Sequence, residues 1–382
     1  MRHAHRSVTL FLAASALALS PADAGTTSPI GLELVAVEGL ATPTGEPLIR
    51  FLNPLINGAG RVVWDSEILG PNGGLDAVGG SAPGQTPTQV IRQGDFPEFG
   101  PDAVVTDVSK TDINVSGVVG LSMRIVDPSF PEFASRALYR YDLGANVFDP
   151  IVFSLVPYPF GNPDERIDSV NGPDLSDTGV ASFIMSVRDL QTGDRFVAIC
   201  KQPDAMSDWS VALQDGETRN IPGFGTLVFD RDRETLLGDG RIVYELDAYE
   251  PNNADITTAR SFWRETPGGG LERVLGNSDP APGTTTTFDL QPFYSYTFAN
   301  DGLLTIRARL RDVFGLADDA LFTETDTGLA LVFRDNDLVP EIGPDARMLL
   351  TGSIRKYSSS TLRFYGRCYG TGVEFGNDLA LW

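Results

Sequence analysis

The sequence predicts an all-β fold, a six-bladed β-propeller of about 60-residue, four-stranded repeats whose ring is closed by strands from the two ends of the chain. Three observations predict it. A turn containing Asn or Asp and closed by glycine recurs in phase along the chain. Each turn is followed by a run rich in β-branched and aromatic residues, while no segment sustains apolar residues at helical spacing. The chain also ends on a strand of one type and begins with the type that follows it in every other repeat.

The first element is not part of the fold. Arg2 and Arg6 precede the apolar run VTLFLAASALAL, and PADAG places Ala22 and Ala24 at the small-residue positions of a cleavage site. This is the pattern of a secretory signal peptide, too short to span a membrane with such flanks. The predicted organisation is therefore a signal peptide over residues 1–24 and one repeat domain over residues 25–382. The expected location is secreted, periplasmic or extracellular. No cysteine follows the apolar run, which argues against a lipid anchor, and no later run is long and apolar enough to cross a bilayer.

The turn is the clearest repeat. It reads INGAGRVVW at Gly60, INVSGVVGLSM at Gly117, LSDTGVASFIM at Gly179, LLGDGRIVYEL at Gly240 and FANDGLLTIRA at Gly302, with spacings of 57, 62, 61 and 62. A decayed sixth copy, SSSTLRFYGR, puts Ser360 at the glycine position and Phe364 at the aromatic one. Two-residue hairpin turns of the primed type need positive φ, which glycine adopts freely and Asn or Asp tolerates. The five glycines are thus read as structural, each fixing the register of the strand behind it. On this reading Gly302→Ala costs more than about 1 kcal/mol and Asp301→Asn is nearly neutral.

Two further elements keep the same phase. One is a short apolar strand, as in LELVAVEG, TQVIRQGD, IVFSLVP, WSVALQDGE, LERVLGNSD and LALVFRDND. The other is RALYRYD, RFVAICK, SFWRE, DALFTE and the terminal DLALW. With the runs on either side of the turn they make four strands per unit, which suits a propeller blade. Six such units fill the 358 residues that follow the signal peptide. Pairing of the terminal DLALW with LELVAVEG would leave no open sheet edge.

The Asn-x-x-Gly-x-x-Ala-Phe pattern, seen in SDTGVASF and GDGRIVY, together with GNSDPAPG (Gly276 to Gly283) and FGNDLALW (Phe375 to Trp382), resembles the exported bacterial tandem-repeat family named for the NxxGxxAF repeat. The resemblance spans the chain behind the signal peptide. That family commonly ends in a sorting anchor, and its absence here implies a released form or a longer chain. It implies no activity and no functional residue. The units also look like blades of TolB-type propellers, an analogy that bears on fold alone.

Composition excludes several functions. The formal charge is −22, and becomes −23 without residues 1–24, which hold two arginines and one aspartate. Such acidity disfavours nucleic acid and anionic membrane surfaces as partners. The two histidines, His3 and His5, both lie in the signal peptide. The remainder therefore cannot run Ser-His-Asp or Cys-His catalysis or bind zinc through histidine. Cys200 and Cys368 sit in separate apolar runs and read as two buried thiols.

What chemistry remains must use carboxylates. Asp177, Asp239 and Asp301 in turns, with Glu245 in a strand, are candidates for a glycosidase-like pair, and Tyr244 and Trp64 for stacking on a sugar. The competing reading is that the turns need the acids and the core needs the aromatics. Calcium is the one cofactor considered: FDRDRET (Asp230, Asp232, Glu234) and RDNDL (Asp335, Asp337) space acids alternately, but neither completes a calcium-loop order. Asn114 of NVS matches a glycosylation acceptor, yet its place in the hairpin turn explains it. TPGGG (Thr266 to Gly270) and PNGG (Pro71 to Gly74) read as inter-strand loops. The reading is an exported, monomeric, non-catalytic repeat protein without cofactor. It presents loops to an unidentified protein or polysaccharide, without membrane insertion. The alternative is a carbohydrate-active hydrolase or lyase with carboxylates near the propeller centre.

Overall fold

Alternating β-branched and aromatic runs, punctuated by glycine turns, form strands throughout this chain. The computed structural model describes residues 10–14, 32–37 and 45–381, apart from 72, 84, 86, 96–102, 127–133, 252–259, 291–294, 300–301, 313–316, 340–344, 359–360 and 371–378. Every regular element among the described residues is a strand, and neighbours pair antiparallel. The chain divides into two compact units, Met1–Ala212 and Leu213–Trp382.

In the first unit, β1 (Leu10–Ala14) pairs with β2 (Leu32–Val37). The first four-stranded sheet runs β3 (Leu48–Ile56), β4 (Val62–Gly70), β5 (Gly73–Ser81), β6 (Thr88–Arg92). The second runs β7 (Val104–Ile113), β8 (Val118–Val126), β9 (Ala134–Asp142), β10 (Val147–Phe153), and the third β11 (Glu165–Leu175), β12 (Ala181–Asp189), β13 (Arg195–Gln202), β14 (Ser210–Gln214).

In the second unit, the fourth sheet adds one strand in front: β15 (Glu217–Ile221), β16 (Gly225–Leu236), β17 (Ile242–Tyr249), β18 (Arg260–Glu265), β19 (Leu271–Gly276). In the fifth, β20 (Thr287–Asp289) and β21 (Ser295–Phe298) both pair β22 (Leu304–Arg311), which continues to β23 (Ala317–Thr325) and β24 (Gly328–Arg334). The sixth has three strands, β25 (Arg347–Ser358), β26 (Thr361–Tyr369) and β27 (Leu379–Leu381). The predicted four-strand order therefore holds in the first three sheets. The sixth sheet lacks the fourth strand among the described residues. Among the described residues β27 pairs β26, and β2 pairs β1.

The repeated turn differs from the predicted two-residue hairpin. In each copy the first residue's C=O accepts from the glycine N–H, at 3.0 Å for Asn57–Gly60 and Asn114–Gly117 and 2.8 Å for Ala299–Gly302. The first residue's N–H donates to the residue after the glycine, at 3.0 Å for Asn57 and Arg61. This is the three-residue loop that closes on a left-handed glycine. Only that glycine needs positive φ, and it has +75°, +86°, +90°, +85° and +85° in the five copies. A primed turn would place positive φ at the central residues, and in the first four copies, whose central residues are described, the backbone has none there. The register is the same each time: Ile56 opposite Val62, Ile113 opposite Val119, Leu175 opposite Ala181, Leu236 opposite Ile242, and Phe298 opposite Leu304. The sixth-copy turn residue Ser360, and Asn300 and Asp301 of the fifth, lie outside the described residues.

Within each unit the core lies between consecutive sheets. Period-two alternation sends Ala137, Tyr139 and Tyr141 of β9 toward Val63, Val78 and Ile91 of the first sheet. The residue between them, Leu138, packs with Ile167, Phe183 and Met185 of the third. In the second unit Phe262 meets Phe288, Leu304 and Phe322, and Leu321 meets Met348 and Cys368. Both faces of the middle strands are thus buried, so they read as nearly continuous apolar runs. Cys200 and Cys368 are buried in separate clusters, as predicted.

Polar ties register one sheet against the next. The Asn114 amide carbonyl accepts from Val118 N at 3.0 Å, and its Nδ2 donates to Ser176 O, in the next turn, at 3.1 Å. Asn57 does likewise toward Asn114 O at 2.6 Å. With Asn114 only 3% exposed, its replacement by alanine takes the side-chain acceptor from Val118 N and leaves Ser176 O with the Gly179 N–H bond alone. Asn114→Ala is expected to destabilise by about 1–3 kcal/mol, read as a lower denaturant midpoint at unchanged slope. The same burial accounts for NVS as turn sequence, because the Asn114 amide nitrogen is already committed.

Candidate functional site

The acids singled out in the sequence are spent largely on backbone. Asp177 Oδ1 accepts from Val115 N of the preceding turn at 3.2 Å. Asp239 accepts from Arg241 N at 3.0 Å and pairs with its Nε at 2.7 Å. Glu245 is buried and paired with Arg260 at 2.9 Å. Tyr244 is fully buried and donates to Glu265 Oε1 at 3.0 Å, while Trp64 is 5% exposed and lies over Gly79. These two aromatics are core residues, so neither presents a face to a sugar.

The RDND segment is a joint between sheets. Asp337 Oδ2 accepts from Arg334 N at 2.8 Å, Asn336 takes φ +70°, and Asp335 Oδ1 accepts from Leu350 N at 2.7 Å. The same geometry caps Arg92 N with Asp95 at 2.9 Å, and Gly276 N with Asp279 at 2.7 Å. Behind each cap the chain joins the next sheet's first strand: Gly94 N donates to Val105 O at 2.8 Å, Leu155 N to Ile167 O at 2.6 Å. In the second unit the donors are Ser278 to Phe288 at 2.8 Å and Asn336 to Met348 at 2.8 Å, while Gly216 donates to Phe229 of β16, the second strand of the fourth sheet, at 2.9 Å. The alternate acids are explained by this capping. In the other proposed calcium loop, Asp230 accepts from Tyr249 Oη at 2.9 Å, and the Asp232 side chain lies outside the described residues. Thr266 to Gly270 forms a hairpin loop closed by Gly269 N donating to Thr266 O at 2.9 Å. Asn72 of PNGG lies outside the described residues.

Two features of the first unit were not legible in sequence. The first is a pair of half-buried carboxyls, Asp112 near the end of β7 and Asp174 near the end of β11. Asp112 accepts from Leu175 N at 2.8 Å and from Ile113 N at 2.8 Å, and burial raises its pKa against those two bonds. Asp174 is pushed up to about 6, first by burial and then by the Asp112 charge. Asp335 of the second unit is also pushed up to about 6, chiefly by burial.

A carboxyl held above its ordinary 3.8 binds its proton more tightly in the native chain than in the unfolded one. Its contribution to stability is therefore full at low pH and is lost as pH rises through about 6. Unfolding free energy is expected to fall across that window, measured by denaturant titration at a series of pH values. Asp174→Asn should flatten the fall, and a slope unchanged by this substitution refutes the assignment.

The second feature is a polar cleft of about 260 Å³ lined by Asp107, Arg124, Arg136, Ser154, Asp168 and Ser169. It lies where the second sheet meets β11 of the third. Asp107 stands opposite Arg124 across β7 and β8, and Arg124 opposite Arg136 across β8 and β9. Ser154 Oγ accepts from Arg136 N at 2.8 Å, fixing the β9 backbone at the cleft. The Arg136 guanidinium donates to Asn171 Oδ1 at 3.2 Å, and Asp168 pairs with Arg195 at 3.0 Å. Sequence spacing does not reveal this row, because it exists only in the strand register.

Comparison with solved structures returns low-identity likenesses. The β-propeller domain of the Trilobed protease from Pyrococcus furiosus is 9% identical, with 88% of this chain and 82% of that chain covered and a TM-score of 0.41. A PL25 ulvan lyase is 10% identical over 86% of this chain and 77% of its own, at a TM-score of 0.38. The α-L-arabinanase of Penicillium chrysogenum is 12% identical over 90% and 96%, at 0.34. No curated protein matches the chain. Residues 164–382, more than half of the sequence, match the model described as Family of unknown function (DUF7453), and the chain belongs to that family.

Proposed function

We propose that this chain is an exported, monomeric, non-catalytic repeat protein that binds a ligand outside the cytoplasm. The observation that carries the reading is the use made of the acids. Asp177, Asp239, Asp335 and Asp337 accept backbone N–H groups, whereas the polar cleft of the first unit leaves hydrogen-bonding groups facing an opening. The proposed architecture is a six-bladed propeller, supported by six in-phase sheets among the described residues. The three-stranded sixth sheet lacks a strand of the type that β2 supplies in sequence. Cleavage behind residue 24 would remove β1 and free the β2 edge to close the ring. Kinship with the NxxGxxAF repeat proteins is part of the same reading and rests on the turn motif.

The second reading, a carbohydrate-active hydrolase or lyase, is favoured by one observation, the Asp112 and Asp174 pair with one carboxyl near 6. A carboxyl of that pKa holds its proton close to neutrality, as a general acid must. A polysaccharide panel separates the two. The binding reading expects retention of a glycan with no new reducing or unsaturated ends. Turnover that disappears in Asp174→Asn would establish the second reading instead.

A further inference from the structure

We propose that the cleft on the first unit is a site for an oxyanion carried on an acidic sugar, gripped by Arg124 and Arg136; this rests on the binding reading and names its ligand class. The two arginines are direct cross-strand neighbours on β8 and β9. Arg124 has Arg136 opposite on one side and Asp107 on the other, so Asp107 offsets part of the like-charge repulsion between opposed side chains about 5 Å apart at Cβ. Among the described residues neither arginine is ion-paired to a carboxylate, although 51 acidic residues are present in the chain.

Asp168, which lines the same cleft, is paired with Arg195 at 3.0 Å. Asn171 orients Arg136 at 3.2 Å without cancelling its charge. Two planar forks lining one polar opening match the paired oxygens of a carboxylate or the three of a sulfate. Ser154 and Ser169 add hydroxyls to the lining, and the volume of about 260 Å³ admits one sugar residue with its charged group. A bound anion would pair with the two guanidiniums, which no carboxylate among the described residues does at ion-pair distance.

Calorimetric titration of the full chain with three trisaccharides tests this: a galacturonate oligomer, a sulfated galactose oligomer and neutral galactotriose. The expected result is binding of one acidic oligomer, weakened by salt, with no heat from galactotriose. The acidic oligomer that binds identifies the anion as carboxylate or sulfate. Arg124→Gln should lower affinity by about tenfold or more, and Arg124→Lys by less, because the charge stays while the fork is lost. Thermal unfolding of ligand-free Arg124→Gln should occur near the wild-type temperature, since removing the cation takes away both the Arg136 repulsion and the Asp107 attraction. Equal binding of the neutral oligomer or unchanged affinity in Arg124→Gln overturns the proposal. Absence of binding by both acidic oligomers does so too. Cleavage of a bound acidic oligomer would discard the non-catalytic reading and leave the site standing.

Discussion

Replacing Arg264 by alanine is expected to destabilise the second unit by about 3 kcal/mol or more, the largest single effect foreseen. Its guanidinium pairs with both oxygens of Glu324, at 3.1 and 3.2 Å, and donates to Gly302 O at 2.7 Å. Arg264 and Glu324 side chains are each only 13% exposed. Burial disfavours the charge on Arg264, but Glu272 and Glu324 outweigh it, and its pKa is raised. Deleting the cation leaves Glu324 largely enclosed without its partner, still accepting from Leu304 N at 2.9 Å. Denaturant unfolding followed by tryptophan fluorescence, with Trp263 adjacent in sequence, should report a lower midpoint. Simultaneous Glu324→Gln should recover part of the loss, because the orphaned charge goes with it. A double variant as unstable as the single one would place the effect in lost packing.

Gly302→Ala is the second, at about 2 kcal/mol or more, beyond the floor set by the turn alone. The φ of +85° by itself strains any L side chain. A Cβ there would also stand 2.7 Å from Leu237 Cδ1, and Leu237 is 2% exposed with little room to retreat. Gly179→Ala provides the comparison. It has φ +90° with nothing within 4 Å of the added Cβ, so it should show the backbone cost alone. Equal losses in the two variants, measured by the same titration, would remove the Leu237 contact from the account.

The glycines were legible because positive φ is a demand that one residue type meets best, and the strands because alternation survives without any partner. The first residue of the turn was half legible. Asn57 and Asn114 read as turn formers, but their amide nitrogens reach the following turn, an act with no local signature. The type of reversal was misread, since Asn-x-x-Gly fits both a primed hairpin and a three-residue loop until the hydrogen bonds decide. Asp335 and Asp337 show the opposite difficulty: alternate acids look like ligand oxygens, and only the N–H groups of Leu350 and Arg334 identify them as caps. Arg124 and Arg136 lie twelve residues apart and become neighbours through the pairing of β8 with β9. Asp112 and Asp174 belong to different sheets, and the charge of one bears on the other only after folding.

The joint between sheets has a consequence for how such a chain changes over generations. Its bonds from Gly94 to Val105, Leu155 to Ile167 and Asn336 to Met348 run from main chain to main chain. Side chains at those places are under no obligation to match across the seam, so Val, Ile, Phe and Met all serve as the receiving residue. Copies are then free to drift apart in sequence while the spacing that brings seam to seam stays under selection. Variation in copy number would proceed by whole units, each arriving with a ready seam at both ends.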